Sequence, residues 1–465
     1  MSTTGTCIID EAVIAQTLSR SSEPSPARAR EVLSKARELH GLAFEEVADL
    51  MNIKDPALQN ELFTTARWVK EQIYGNRLVL FAPLYVSNYC SNSCIYCGYR
   101  RENAELRRRM LSQEEIAEEI RFLVTHGQKR ILVLAGETPE QNALDYIVKA
   151  IGTIYKTRVG NGEIRRVNVN IAPLTIEGFK TLKAAHIGTY QLFQETYCRS
   201  MYVKLHPRGP KADYDWRVTA MHRAMEAGID DVGVGPLLGL YDWHFEVLAL
   251  IQHIRSLENE FGVGVHTISI PRLEPAVGSD YATSSPYLVS DEDFLKLVAI
   301  LRLAVPYTGM IMSTRERPGI RDKTFRLGIS QISAASRVDP GGYANGPGDP
   351  HKAQFVLSDR RSIEEVIQDV VRMGFIPSFC TACYRLGRTG SDFMDLAKPG
   401  EIKCHCTPNA LSTFQEYLLD YASPETQKIG EEMIYTTLNQ MDARQRMLSE
   451  RLLEKVKAGG RDAFL

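Results

Sequence analysis

The sequence predicts an α/β fold, a TIM-type (β/α)8 barrel with N-terminal helices before it and a mostly helical C-terminal domain after it. Eight apolar, β-like runs alternate with amphipathic stretches of helical period between residues 78 and 334. Strand, helix, strand in series builds a parallel sheet, and about eight such units close it. The breaker cluster Pro340-Gly-Gly-Tyr-Ala-Asn-Gly-Pro-Gly-Asp-Pro350 then ends the alternation. A partial barrel of six strands is the competing reading. The expected domains are 1–75, 76–340 and 341–465.

Residues 1–28 are polar and serine-rich, a tail with some helix. Over 29–75, Val32, Ala36, Leu39 and Leu42 recur at helical spacing. The candidate strands are Leu78–Val86, Arg130–Leu134, Arg166–Ile171, Ile187–Phe193, Asp230–Val234, Gly264–Ile270, Gly309–Ser313 and Gly328–Ala334. Helices lie between them. Gln113–Thr125 sets Ile116, Ile120 and Leu123 on one face, and Asp213–Ala227 and Asp291–Leu303 are further examples. From about His351 the pattern is helical, ending in a charged stretch, Glu425–Lys457.

The chemistry gathers on cysteines. Cys90-Ser-Asn-Ser-Cys94-Ile-Tyr-Cys97 follows the first apolar run. Thiolates are soft ligands suited to iron–sulfur clusters, and this spacing lets one loop wrap one cluster. A closed zinc site or fully ligated cluster wants four protein ligands; three leave one iron open to a small molecule. Tyr96 adds an aromatic that could stack on a nucleobase. A zinc knuckle is the plainer alternative. A second set, Cys380-Thr-Ala-Cys383 and Cys404-His405-Cys406, offers Cys380, Cys383 and Cys406 as three ligands, or all four thiols as a tetrahedral zinc site. Cys404 and Cys406 are two residues apart, so in an extended loop either could reach the same metal. Cys7 and Cys198 stand alone, as a tail thiol and a structural thiol.

The chain has 465 residues, a net charge of −2 and 44% hydrophobic content. No basic block points to nucleic acid. No apolar run approaches membrane-spanning length, and no signal peptide is evident at the N-terminus. Nine cysteines, grouped in ligand spacing, argue for a reducing cytoplasm.

The first cysteine loop, with its aromatic before the last thiol, resembles the cluster loop of the radical S-adenosylmethionine (SAM) superfamily, in which SAM fills the open site. Both cysteine motifs together resemble the tyrosine lyases that mature iron–iron hydrogenases, the HydG type. So do Ala135-Gly136-Glu137, Gln194-Glu195-Thr196-Tyr197, Ser269-Ile-Pro-Arg272, Ser313-Thr-Arg-Glu316 and Gln331-Ile-Ser-Ala-Ala-Ser336. The thiamine-pathway tyrosine lyase (2-iminoacetate synthase) shares the front half of this pattern and lacks the C-terminal three-cysteine motif.

The resemblance implies a carbon–carbon lyase that splits L-tyrosine into p-cresol and dehydroglycine. The dehydroglycine becomes carbon monoxide and cyanide on iron for the hydrogenase cluster. It implies a SAM-binding 4Fe-4S cluster on Cys90, Cys94 and Cys97, with Tyr96, Gly136, Glu137, Glu195 and Arg217 around SAM. It implies a second iron–sulfur cluster on Cys380, Cys383 and Cys406, with a labile iron held by His266; His405 competes for that iron, and free L-cysteine is a further iron ligand. Ser313, Arg315, Arg317, Gln331, Ser333 and Ser336 are the expected tyrosine-binding residues. From the residues alone, Gly136-Glu137 reads more commonly as a turn and His266 as a core histidine; Arg217 also reads as a solvated helix arginine, and Arg315, Glu316, Arg317 and Arg321 as a structural salt-bridge cluster. Other hydrogenase maturation proteins are the implied partners. A non-catalytic iron–sulfur scaffold and an RNA-modifying radical enzyme are the other function classes.

Overall fold

The structure is a computed structural model that describes residues 7–138, 143–346 and 348–465. The first six residues of the tail and Pro347 of the breaker cluster lie outside the described residues. Eight parallel strands close into a barrel: β1 (Arg77–Ser87), β2 (Arg130–Ala135), β3 (Arg166–Asn170), β4 (Tyr190–Glu195), β5 (Val232–Pro236), β6 (Thr267–Ser269), β7 (Gly309–Met312) and β8 (Gln331–Ser333). Closure is made by β1 against β8, with Val79 opposite Gln331, Leu80 opposite Ile332 and Phe81 opposite Ser333. The eight-strand reading is therefore the correct one, and the six-stranded alternative is excluded.

Alternation along β1 shows how the barrel is filled. Leu78, Leu80, Ala82, Leu84 and Val86 join the large outer core beneath the surrounding helices. Val79, Phe81 and Tyr85 point inward. Phe81 meets Leu132 and Ile311 in a small inner cluster. These three floor a cavity at the C-terminal ends of the strands. One inward step below, Val79, Arg130, Gly309 and Gln331 line a second cavity at the N-terminal ends.

Four helices, Glu11–Arg20, Pro26–Ala36, Phe44–Met51 and Pro56–Tyr74, precede the barrel. The last strand, β9 (Ile376–Ser378), pairs with Arg77–Val79 of β1. Val79 also bonds to β8, so β9 takes the opposite edge of β1, below the point where β2 begins at Ala82. The C-terminal segment is thereby stitched to the N-terminal end of the barrel.

Two helical expectations divide. The stretch 213–227 is two helices, Tyr214–Val218 and Ala220–Glu226, broken at Thr219, whose hydroxyl donates to the carbonyl of Asp215 at 2.6 Å. The stretch 425–457 is also two, Pro424–Gln440 and Ala443–Lys457. Asp442 caps the second by accepting from the Gln445 N–H at 2.8 Å. No helix among the described residues is long and apolar enough to cross a membrane.

The segment after the barrel returns over its upper end. It is held by Arg321, fully buried, which pairs with Asp359 and donates to the carbonyl of Ser333 at the end of β8. Breaking one member of such a pair strands a buried charge, at a cost of about 3 kcal/mol. Asp359→Asn is accordingly expected to lower the urea midpoint at unchanged slope; an unchanged midpoint would show that neither Arg321 nor Arg361 holds the segment through Asp359.

Candidate functional site

The upper cavity, of about 170 Å³, is ringed by the loops that follow the strands. The loop after β1 carries Cys90, Cys94 and Cys97 to its wall. Backbone hydrogen bonds pin that loop: Ser91 N–H to Glu137 at 2.9 Å, Ile95 N–H to Leu205 at 3.1 Å, and Cys97 N–H to Cys94 at 3.1 Å. Gly136 serves this packing. A Cβ there would lie 2.2 Å from the carbonyl oxygen of Tyr89, so the glycine admits the cysteine loop against the end of β2.

Burial pushes all three thiols up, Cys97 to about 11. Holding them as thiolates needs added positive charge, which a metal cluster brings. Donors already face the sulfurs: Tyr99 N–H at 3.4 Å and Gln354 Nε2 at 3.8 Å from Cys97 Sγ, and Asn92 Nδ2 at 3.7 Å from Cys90 Sγ. Three thiols opening on one cavity, two of them faced by N–H groups, fit a cluster with a vacant corner.

Beside the thiols lies a charged group of four. Arg217 is buried; its Nε donates to the Phe193 carbonyl at 2.8 Å and its Nη1 to Glu137 at 2.7 Å. Glu137 also accepts from Asn92 Nδ2 at 2.8 Å. Burial pushes the Glu137 carboxyl up, but Arg217 and Lys211 outweigh it and hold it below the usual carboxylate range. Lys211 pairs with Glu195, which Arg217 also approaches at 3.6 Å. Glu195 sits at φ +73°, in the left-handed region, where the register of β4 against β5 slips. A glutamate there costs about 1–3 kcal/mol, and it turns the carboxylate toward the lysine. Sequence reasoning missed Lys211; it lies on a connecting segment with no strand or motif to mark it. Tyr96 is buried, and its hydroxyl meets His206 Nε2 at 2.9 Å. His206 Nδ1 donates to the Tyr202 carbonyl at 2.8 Å, and burial holds this imidazole neutral, so Nε2 accepts from the tyrosine.

Across the cavity, Ser313, Arg315, Ser333 and Ser336 line the wall. The expected salt-bridge cluster does not form as one unit. Glu316 pairs with Arg272, Arg321 with Asp359, and Arg317, its side chain 66% exposed, with Asp291 at 2.6 Å. Arg317 is thus outside the cavity. Gln331 is also absent from this wall: it lies two residues below Ser333 on the same strand face, and its side chain enters the lower cavity.

The lower cavity, about 50 Å³, brings together Cys380, Cys383, Cys406 and His266. His266 lies just before β6 rather than inside it, at the N-terminal end of the barrel, and its ring packs 4.4 Å from that of Phe393. Cys404 and Cys406 are not in an extended loop but in the helix Ile402–Asp420. Successive residues turn by about 100° in a helix, so positions two apart face opposite ways. Cys406 is buried against Cys383; Cys404 is exposed and accepts from Gln445 Nε2 at 3.2 Å. Cys383 donates to Cys406, and with Arg77 and Arg388 nearby the Cys406 thiol is pushed down. His405 is half-buried and does not line the cavity. Among the described residues, no three His, Cys, Asp or Glu converge on one ion position.

An observation favours a metal group here. Both carboxylate oxygens of buried Asp231 and the Nδ1 of His266 lack hydrogen-bond partners, though they face each other at 3.9 Å. A buried carboxylate and imidazole left unpaired are costly unless a cation joins them. The three thiols, His266 and Asp231 therefore suit an iron-containing group.

Residues 84–253 match the model of the radical SAM superfamily, and residues 269–376 that of the biotin and thiamin synthesis associated domain. The chain is 30% identical to the 2-iminoacetate synthase of Salmonella typhimurium over 333 residues, 71% of this chain and 85% of that one. A crystal structure of HydG, a maturase of the [FeFe]-hydrogenase, superposes with a TM-score of 0.95 at 50% identity, covering 99% of this chain and all of that one. HydG from Carboxydothermus hydrogenoformans superposes at 0.84 with 41% identity, covering 95% and 98%.

In the metal-free chain, iodoacetamide is expected to label Cys404 well before Cys406, read by peptide mass spectrometry. Equal rates would contradict the opposed helix faces.

Proposed function

We propose, from the premise that this chain belongs to the HydG-type [FeFe]-hydrogenase maturases of the radical SAM superfamily, that it cleaves the Cα–Cβ bond of L-tyrosine. The products are p-cresol and dehydroglycine, and the dehydroglycine ends as carbon monoxide and cyanide on iron destined for the hydrogenase. One observation carries this reading: two thiol sites at opposite ends of one barrel, each opening on its own cavity. A reaction that stopped at dehydroglycine would have no use for the lower site.

Cys90, Cys94 and Cys97 would hold a 4Fe-4S cluster, which with SAM supplies a carbon radical able to remove hydrogen from an unactivated position. The rest is the work of this chain's residues. Glu137 and Arg217 carry the charges that match the amino and carboxylate groups of SAM, and Glu195 is suited to its ribose hydroxyls. Tyr96, fixed by His206, offers its ring at the cavity wall. Arg315, with Ser313, Ser333 and Ser336, suits the tyrosine carboxylate through a planar fork and hydroxyl donors. The floor of Phe81, Leu132 and Ile311 keeps the upper cavity apolar beneath the substrate and limits water. Cys380, Cys383 and Cys406 would hold the second iron–sulfur cluster, and His266 its labile iron.

Anaerobic reconstitution with iron, sulfide, SAM, dithionite and L-tyrosine tests this directly. The expected products are p-cresol, by chromatography, and carbon monoxide, by its binding to a haem protein. Absence of p-cresol would overturn the reading. Cys90→Ala, Cys94→Ala and Cys97→Ala are each expected to abolish 5′-deoxyadenosine formation. Cys406→Ser and His266→Ala are expected to keep p-cresol and lose most carbon monoxide, while Cys404→Ser keeps both. Arg315→Lys is expected to raise the tyrosine KM about tenfold or more, since lysine lacks the planar fork, whereas Arg317→Lys leaves it unchanged.

A further inference from the structure

We propose that Glu274 receives the α-ammonium group of the amino-acid substrate and takes a proton from it, opposite the carboxylate-binding Arg315. This rests on the tyrosine-lyase reading and extends it to a residue that the sequence motifs do not mark.

Glu274 and Arg315 line the same upper cavity, and neither is neutralised. Among the described residues the Arg315 guanidinium makes no hydrogen bond or ion pair; it lies over the Phe355 ring, 3.3 Å from its centroid. The carboxylate of Glu274 accepts one long hydrogen bond, from Ser358 Oγ at 3.4 Å. The two do not pair with each other. Every neighbouring charge is already matched: Arg272 with Glu316 and Asp291, Arg317 with Asp291, Lys211 with Glu195, Arg217 with Glu137. Among the described residues, a cavity walled in part by Leu273 and Phe355 thus holds one free cation and one free anion. Leaving either unpaired is unfavourable. A zwitterion relieves both at once; a simple cation or anion relieves only one.

The anion is also suited to proton transfer. Burial, then the nearby charge of Glu316, pushes the Glu274 carboxyl up to about 7, against the opposing pull of Arg315 and Arg272 and the Ser358 hydroxyl. Its proton affinity therefore lies closer to that of an ammonium group than an ordinary carboxylate's does. In the step, one N–H bond of the ammonium breaks heterolytically. The proton moves to a Glu274 carboxylate oxygen, and the electron pair stays on nitrogen as the lone pair of a neutral amine. Nothing is oxidised or reduced. The amine then carries no positive charge to oppose loss of a hydrogen atom from the substrate.

The test uses the reconstituted holoenzyme with SAM, and two ligands: L-tyrosine and 3-(4-hydroxyphenyl)propionate, which lacks only the amino group. A charge-assisted hydrogen bond corresponds to about tenfold to a hundredfold in affinity. E274Q is expected to weaken L-tyrosine binding by that factor, to leave the deamino ligand within about twofold of wild type, and to lower kcat for p-cresol. Unchanged binding of the deamino ligand also shows that the cavity is intact. Equal weakening of both ligands, or unchanged tyrosine binding and turnover, would overturn the assignment. Should wild-type holoenzyme make no p-cresol at all, the lyase reading itself fails, which is separable from failure of Glu274 in an active enzyme.

Discussion

Closure of the sheet between β1 and β8 is the constraint on which the rest depends. Val79 faces Gln331 and Phe81 faces Ser333 in that pairing. Because strand side chains alternate, the inward residues come in layers two residues apart. The upper layer, with Phe81 and Ser333, floors one cavity; the lower, with Val79 and Gln331, roofs the other. A slip of one residue would exchange inside for outside along β1 and erase both cavities.

The two ends differ in how charge is handled. Beside the thiol loop, Arg217, Lys211, Glu137 and Glu195 neutralise one another in a compact group, held partly by a glutamate in a left-handed backbone conformation. At the lower end, the Asp231 carboxylate oxygens and the His266 Nδ1 are left without hydrogen-bond partners. Paired charges make a rigid, preorganised wall. A buried carboxylate left unpaired is costly in a closed structure. Both arrangements lie within one barrel, and its apolar inner cluster of Phe81, Leu132 and Ile311 stands between them.

All eight strands could be read from the sequence because each carries apolar residues at strand spacing, and the stretches of helical period between them are unlike it. The thiol loop was legible because its three cysteines lie close together in the chain. Lys211 and Glu274 were not: each is a single charged residue in a connecting segment, and only folding brings one to Glu195 and the other to the cavity of Arg315. The site of Gln331 was misread for a related reason. Its strand was identified correctly, but which cavity a strand residue serves depends on its height along the barrel, which pairing with β1 sets.

The sequence by itself determined the alternating architecture, the two three-thiol motifs and the charge balance, since these are local patterns of side-chain type and spacing. Only the tertiary structure decided that Cys406 turns inward while Cys404 faces solvent, because helical rotation, not the two-residue spacing, sets their directions. Likewise it alone brought His266 to the C-terminal thiols and left Arg315, of the arginines near the end of β7, free in the cavity. These depend on contacts between segments far apart in the chain, and such contacts exist only once the barrel has closed.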